Sequence, residues 1–373
     1  MSDRIYLDFN ASTPIAPEAA EAMRPYLTDH YGNPSSGHWA GAPLREAVDR
    51  ARRQVAERLG CDPTEIVFTS GGSEANNHAI KGVFLSHQSR GSHIITTRIE
   101  HPAVIEPCRF LERACGADVT YLAVDGLGRV NPDDIRAAVT SKTVLITVMH
   151  ANNEVGTIQP IREIGAIARE HEIAFHTDAA QSVGKIETNV DDLGVDLLSV
   201  AGHKVYAPKG VGALYIRRGT RVETFVHGAG HESGRRAGTE NVLLNVGLGQ
   251  ACEVAGAAIG LETVRALRDR FWRALQDAFG DRVVLNGHPT ERLPNTLNVG
   301  FLGAVGAELL GRLEGVAAST GSACHAGKVA LSPVLEAMHV PIEVGKGTIR
   351  WSLGRTTTQA QIDRVVSLLQ AVF

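Results

Sequence analysis

Short apolar runs alternate with helical segments in the middle of this chain, and this alternation limits the fold more than any other feature. Residues 65–69, 144–149 and 211–216 are apolar runs of strand length, and residues 173–175 begin another. After the first run, residues 70–72 (Ser-Gly-Gly) make a turn that opens a helix. Strands that alternate with helices predict a mostly parallel sheet with helices on both faces. The predicted fold class is therefore α/β.

Two amphipathic helices flank this alternating region and indicate a second unit. Apolar residues recur at helical spacing over residues 44–59 before it and over residues 264–279 after it. At 373 residues the chain is also long for a single hydrophobic core. We predict a large domain over residues 15–258 and a smaller α+β domain built from residues 1–14 together with residues 259–373.

Composition and charge argue against several classes of protein. Apolar residues make up 43% and charged residues 21% of the chain, and the net charge of -4 gives no reason to expect nucleic-acid binding. No apolar segment is long enough to span a membrane, and the first residues lack the apolar core of a signal peptide. The five cysteines form neither a disulfide framework nor a metal-binding pair. We expect a cytoplasmic protein that binds no membrane, nucleic acid or metal.

An acid and a lysine lie at the ends of two consecutive predicted strands. Asp178 ends the apolar strand that begins near residue 173, where an unpaired carboxylate is costly. Lys204 follows the next strand in the sequence Gly-His-Lys, and a buried lysine has a lowered pKa that suits a nucleophile and base. Taken singly, each is more often a solvated surface residue. Together they fit an enzyme that uses pyridoxal 5'-phosphate (PLP), in which the lysine forms a Schiff base and the acid keeps the ring nitrogen protonated.

Other polar residues are predicted to lie at the same edge of the sheet. Gly72 and Ser73 begin a helix whose free N–H groups suit a phosphate, although such turns are common connectors in α/β proteins. Gln181 lies one turn beyond the acid and could donate to the ring oxygen. His101 follows a strand and could stack on the ring and exchange protons, whereas a lone loop histidine is usually solvated. Residues 152–154 follow another strand, where ligands of open α/β sheets bind.

One cysteine stands apart from the other four. Cys324 lies in a run of small residues, from Ser319 to Gly327, that suits a mobile loop visiting an active site. Its neighbour His325 would favour the thiolate form. The alternative is a buried structural thiol, which the glycine-rich setting disfavours. A thiol beside a PLP site suggests sulfur transfer.

Seven segments, in order along nearly the whole chain, resemble the cysteine desulfurases, which are class V, fold-type I PLP-dependent enzymes. They are residues 6–14, 68–74, 152–154, 178–181, 202–204, 238–241 and 319–324. The resemblance implies a fold-type I PLP-dependent transferase with a mostly parallel sheet in its large domain. It also implies conversion of L-cysteine to L-alanine, with the sulfur transferred to Cys324 as a persulfide.

The resemblance further implies roles at the ring of the cofactor. Lys204 would carry the Schiff base and move the Cα proton of the substrate. Asp178 and Gln181 would hold the ring nitrogen and the ring oxygen, and His101 would stack above the ring.

The same resemblance implies roles at the phosphate and at the substrate. Phosphate binding would fall to Gly72, Ser73 and His203, while Thr239 would reach the phosphate in the partner subunit of a homodimer. Arg350 would grip the substrate carboxylate, a bidentate task suited to guanidinium, with the help of Asn153.

The sequence departs from the family pattern at three points. Position 201 is alanine where desulfurases commonly place a phosphate-binding hydroxyl, and Cys324 is followed by His325 rather than by a small hydroxyl residue. The chain ends at Phe373, whereas housekeeping desulfurases carry a longer tail that docks the iron–sulfur scaffold protein. That partner is therefore in doubt, and the sulfur acceptor remains unidentified.

Four other functions compete with cysteine desulfurase. The apolar residue before Gly202 and residues 293–296 (Leu-Pro-Asn-Thr) also resemble selenocysteine lyases, in which Cys324 would serve mainly for discrimination. A class V aminotransferase would not need Cys324 on a flexible loop. A nicotinamide-dependent dehydrogenase is disfavoured because residues 228–234 miss the required glycine spacing. A non-catalytic sulfur-relay adaptor could have lost Lys204 or the acid, yet both are present.

Overall fold

The computed structural model describes residues 4–256, 261–325 and 328–373, with the backbone alone for residues 261, 322–325 and 328–329. Its strands are β1 (Ile5–Tyr6), β2 (Ile66–Thr69), β3 (His93–Thr97), β4 (Asp118–Leu122), β5 (Thr143–Thr147), β6 (Ala174–Asp178), β7 (Leu197–Ala201), β8 (Gly212–Ile216), β9 (Val283–Asn286), β10 (Thr296–Phe301), β11 (Val316–Ala317), β12 (Ser319–Thr320), β13 (Ser322–His325), β14 (Lys328–Leu331) and β15 (Thr348–Ser352).

The helices surround these strands in chain order. They are α1 (Pro17–Met23), α2 (Pro25–Thr28), α3 (Ala42–Leu59), α4 (Gly72–Ser86), α5 (Pro102–Cys115), α6 (Pro132–Ala138), α7 (Ile161–Glu170), α8 (Val190–Leu193), α9 (Val242–Gly256), α10 (Leu261–Phe279), α11 (Gly306–Gly311), α12 (Pro333–Ala337), α13 (Ile342–Lys346) and α14 (Gln359–Val372). No helix in the described part of the chain is long and apolar enough to cross a membrane.

A seven-stranded sheet forms the largest layer, with strand order β2-β8-β7-β6-β5-β3-β4. β3 to β7 pair in parallel, and β8 runs antiparallel to both of its neighbours, β7 and β2. Every strand of this sheet except β8 therefore runs in one direction. The prediction of a mostly parallel sheet is confirmed, and the carboxyl ends of six strands meet at a single edge.

Side chains from successive residues of these strands enter two different apolar layers. Ile94 packs with α4 and α5 on one face, while Ile95 faces the opposite layer, which includes the apolar stripe of α3. The same alternation separates Leu197 from Leu198. Because alternate strand residues point to opposite faces, both faces of the sheet are covered by helices, as the alternating sequence predicts.

A second sheet, with strand order β12-β15-β10-β9, is antiparallel and has its own core. Trp351 and Phe271 make an edge-to-face contact in this core, and α10 and α14 pack beside it. Ile5 and Leu7 of the N-terminal segment join the same core. The predicted small domain needs a core of this kind. Leu335, which the prediction assigns to that domain, packs instead against the larger sheet. The two-domain division stays a prediction.

Candidate active site

An open cavity lies at the edge where the parallel strands end. Its walls come from the segments that follow β2, β3, β5, β6 and β7, from the N-terminal segment near Asn10, and from β15. Nine of the site residues predicted from sequence line it: Gly72, Ser73, His101, Asn153, Asp178, Gln181, His203, Lys204 and Arg350. The convergence follows from the common strand direction, which brings distant segments to one edge.

Asp178 presents a buried carboxylate at the end of β6. Its Oδ2 accepts a hydrogen bond of 2.7 Å from the Nδ2 of Asn76, and its Oδ1 accepts one of 2.9 Å from the N–H of Ala180. No ion pair to this carboxylate occurs among the described residues. Two neutral donors hold the group in place and leave its charge for a cation in the cavity. Sequence reasoning missed Asn76, which lies one turn into α4.

Lys204 lies in the short 3-10 turn Gly202–Lys204 that follows β7. Its ammonium donates to the backbone carbonyls of Asn10 and Ala11, the latter at 3.0 Å. Burial, and to a smaller extent the charge of Arg350, lower its pKa to about 8, while Asp178 acts in the opposite direction. Near neutral pH this amine is much closer to its neutral, nucleophilic form than a solvated lysine is.

The opposite end of the cavity offers N–H donors. α4 begins at Gly72 after Gly71 (φ 150°), and no side chain caps the helix, so its first N–H groups are left for another partner. A Cβ at Gly72 would lie 3.1 Å from the Cβ of Ala201, so glycine keeps the backbone close to β7. Burial, then Lys204, lowers the pKa of His203 to about 4. Its Nδ1 has no hydrogen-bond partner within the described part of the molecule.

His101 is the N-cap of α5, and this contact determines its tautomer. Its Nδ1 accepts a 3.1 Å hydrogen bond from the N–H of Ala103, so the neutral imidazole carries its proton on Nε2. Desolvation lowers the pKa of His101, and Lys204 adds to this effect, while Asp178 opposes it. The ring therefore favours the neutral state and keeps one donor, Nε2–H, that the cap does not use.

Arg350 is anchored at the second sheet. Its Nη2 contacts Oδ1 of Asp8 at 2.8 Å and Oγ of Ser319 at 2.9 Å, and its Nη1 donates to the backbone carbonyl of Asn153 at 3.0 Å. Nε has no partner among the described atoms. Asn153 thus meets the arginine through its main chain, and a substrate carboxylate would share Arg350 with Asp8. Asp8 lies in a segment matched by the resemblance, but sequence reasoning assigned it no role.

Asn10 joins the N-terminal segment to both sheets. Its buried side chain donates to Oγ1 of Thr296 at 2.8 Å and accepts from Nδ2 of Asn295 at 3.0 Å. Its carbonyl accepts from Lys204 and, at 3.0 Å, from Nε2 of Gln181. Sequence reasoning gave Asn10 no role, because nothing in the sequence near it indicates that it meets residues so distant along the chain.

Two predicted site residues are not placed in the cavity. Thr239 is exposed on the loop before α9 and is absent from the lining of the cavity in this single chain. Cys324 lies on β13, opposite Val329 of β14, and its side chain is outside the described residues. Their roles stay predictions. Within the described residues, no cluster of His, Cys, Asp and Glu could hold a metal ion.

The chain matches known proteins over nearly its whole length. The aminotransferase class-V family model matches residues 5–365. Cysteine desulfurase IscS of Dictyoglomus turgidum is 48% identical, over 100% of this chain and 95% of that protein. Among solved structures, a NifS-like protein matches with a TM-score of 0.92 at 35% identity over 99% of both chains. SspA in complex with cysteine matches with a TM-score of 0.83 at 38% identity, over 95% of this chain and 99% of that one.

Proposed function

This chain belongs to the class-V aminotransferase family and, within it, to the PLP-dependent cysteine desulfurases, and we propose that the cavity at the sheet edge is its active site. There it would convert L-cysteine to L-alanine. The observation that carries the proposal is the placement of Asp178 and Lys204 at the ends of the adjacent parallel strands β6 and β7, beside the first turn of α4. The solved complex of a similar protein with cysteine supports the same substrate.

The residues present fit the cofactor. PLP, when bound, supplies an electron sink for bonds broken next to the amino group of the substrate. Asp178, held by two neutral donors and without an ion pair to any described residue, would pair with the ring nitrogen. The uncapped turn at Gly72 and Ser73, together with the unpartnered Nδ1 of His203, would bind the phosphate. Gln181 would donate to the ring oxygen, and His101 would stack on the ring.

Lys204 would act as the base that moves the proton of the substrate Cα. A general base works best when its pKa lies near the working pH, and the lowered pKa of about 8 meets this condition. Arg350 would bind the substrate carboxylate. Because Asp8 already contacts Nη2 at 2.8 Å, the substrate would use the remaining donors, including the unpartnered Nε. This arrangement would orient the Cα proton toward the amine.

Cys324 would accept the sulfur. Its thiolate would attack the substrate Sγ, so that an S–S bond forms on Cys324 while the Cβ–Sγ bond of the substrate breaks. The electron pair of the broken bond would stay on Cβ and take up a proton, which completes the methyl group of alanine. Cys324 would then carry a persulfide for an acceptor protein.

A homodimer is part of the proposal. Tyr31 and Trp39 are 81% and 82% exposed, and large exposed aromatic side chains are typical of protein interfaces. They lie on the segment after α2, and α2 contacts α9, the helix that follows Thr239. An interface here would bring Thr239 to the phosphate of the partner subunit.

The cytoplasm is the proposed location, and the four cysteines with described side chains are all unpaired, as expected there.

The direct test measures alanine release from L-cysteine and from L-selenocysteine. We expect the wild-type protein to turn over cysteine, and Lys204→Ala and Cys324→Ala to lose that activity. Lys209→Ala is the matched control, because this nearby lysine is exposed and does not line the cavity. Turnover of selenocysteine alone, or cysteine activity gained by Cys324→Ala, would instead identify a selenocysteine lyase. Cysteine turnover retained by Lys204→Ala would refute the catalytic assignment of that lysine.

A further inference from the structure

A second lysine is buried behind the wall of the cavity and takes no part in the function proposed above. Lys185 is 9% exposed, and its Nζ contacts Oε1 of Gln181 at 2.8 Å and Oδ1 of Asn10 at 3.4 Å. Both partners are neutral amides, and the described part of the chain has no salt bridge to this ammonium. A buried cation without a carboxylate is costly, so its position calls for a reason other than stability.

The turn after β6 places Lys185 at this position. Gly184 has φ +74°, a left-handed conformation that side chains other than that of glycine rarely adopt. A Cβ there would also lie 2.9 Å from atoms of both Ala255 and Val205. The turn therefore packs closely against α9 and the segment after Lys204. It returns the chain beneath Gln181, with the N–H of Lys185 bonded to the carbonyl of Ser182 at 2.9 Å.

Gln181 lines the cavity, whereas Lys185 does not. A glutamine amide has two ends of nearly equal size, one an acceptor and the other a donor, so its orientation depends on its partners. Protonated Lys185 can only donate, so it fixes Oε1 on its own side. Nε2 then turns the other way, where one of its hydrogens bonds the carbonyl of Asn10 at 3.0 Å. Its second hydrogen stays available to a ligand.

This contact does not require Lys185 to be charged. Burial lowers the pKa of Lys185 to about 7, and the positive charges of Lys204 and Arg350 act in the same direction. An amine keeps N–H donors in both protonation states. Oε1 of Gln181 therefore has a donor on either side of neutral pH, and the Asn10 carbonyl, which can only accept, keeps Nε2 on the other side.

We propose that Lys185 is a positioning residue, which holds the Gln181 amide with its N–H toward the ring oxygen of the cofactor. The proposal rests on the function proposed above, in which Gln181 contacts PLP. Without Lys185 the amide loses the donor that holds Oε1, and an amide turned with its oxygen to the cofactor would place two oxygens face to face. Lys185 then affects the cofactor chiefly through Gln181, since its contact with Asn10 is the longer one, at 3.4 Å against 2.8 Å.

A double-mutant cycle on the holoenzyme tests this dependence. Four proteins are compared: wild type, Lys185→Met, Gln181→Ala and the double variant. The readouts are the absorption maximum of the bound cofactor and its dissociation constant. We expect Lys185→Met to shift the maximum and to weaken PLP binding about tenfold, the size of one lost hydrogen bond to a charged group. In the Gln181→Ala background, Lys185→Met should change neither quantity further, because contacting residues are not additive.

Lys185→Arg is the control for the case in which Lys185→Met binds PLP weakly only because it misfolds. A neighbouring cavity, lined in part by Lys185 and Tyr206, gives the guanidinium room, and the variant keeps a donor for Oε1. We expect it to retain the wild-type absorption maximum. Additive effects in the double variant, or a wild-type spectrum and affinity in Lys185→Met, would overturn the proposal. So would an unchanged spectrum in Gln181→Ala. Alanine release by the wild-type protein is scored separately, so failure of the proposed function is recognised independently.

Discussion

Replacing Lys185 by methionine should change how the stability of the apoprotein depends on pH. The folded protein lowers the pKa of Lys185 from its ordinary value of 10.5 to about 7, chiefly by burial. Between these two values the unfolded chain binds more protons at this residue than the folded chain does. The unfavourable effect of Lys185 on stability is therefore fully present below about pH 7 and disappears as the pH rises toward 10.5. The wild-type protein gains stability from this group as the pH rises.

The size of the effect follows from the same two pKa values. A difference of one bound proton changes the unfolding free energy by about 1.4 kcal/mol per pH unit. At about pH 7 the folded state has lost half of this proton, so the gain from Lys185 between about pH 7 and about pH 9 is roughly 2 kcal/mol. Methionine has a similar apolar stem and no charge, so this contribution is absent from the variant.

Urea unfolding of the apoprotein at the two pH values measures the effect. Other groups also titrate in this range, and Glu100, whose pKa burial raises to about 8, acts in the opposite direction. The informative quantity is therefore the difference in unfolding free energy between Lys185→Met and wild type. We expect this difference to fall by about 2 kcal/mol between the lower and the higher pH. A difference that does not change with pH would refute the burial of an unpaired ammonium at this position.

Two further predictions concern the phosphate end of the site. Ala201→Ser adds a donor beside the start of α4, and we expect it to tighten PLP binding about tenfold, as measured by equilibrium dialysis. Ala103→Ser, which adds a hydroxyl elsewhere in the same cavity, is the control, and equal effects would contradict the placement of the phosphate. Thr239→Ala is expected to weaken PLP retention in the dimer by a few-fold, as measured by cofactor loss on dilution. Unchanged retention would argue against a site shared between subunits.

Much of this architecture was predictable from local sequence. The apolar runs and the helical stripes identify the strands and helices, because burial imposes a period of two on strands and of 3.6 on helices. The polar residues and glycines after each apolar run then indicate where its strand ends. In a mostly parallel sheet these ends share an edge, so the chain order of strands and polar residues is enough to group Asp178, Lys204 and His101. The resemblance to desulfurases added Arg350 and the role of Asn153.

Contacts between distant segments were decided by the tertiary structure. Asn76 donates to Asp178, Asn10 accepts from Lys204, and Asp8 pairs with Arg350, over separations of 102, 194 and 342 residues. Nothing in the residues around these positions indicates such partners, because hydrogen bonds and charges act through space rather than along the chain. For the same reason, sequence alone identifies the lysine at position 185. Only the fold buries it, without a salt bridge to any described carboxylate, and turns it toward Gln181.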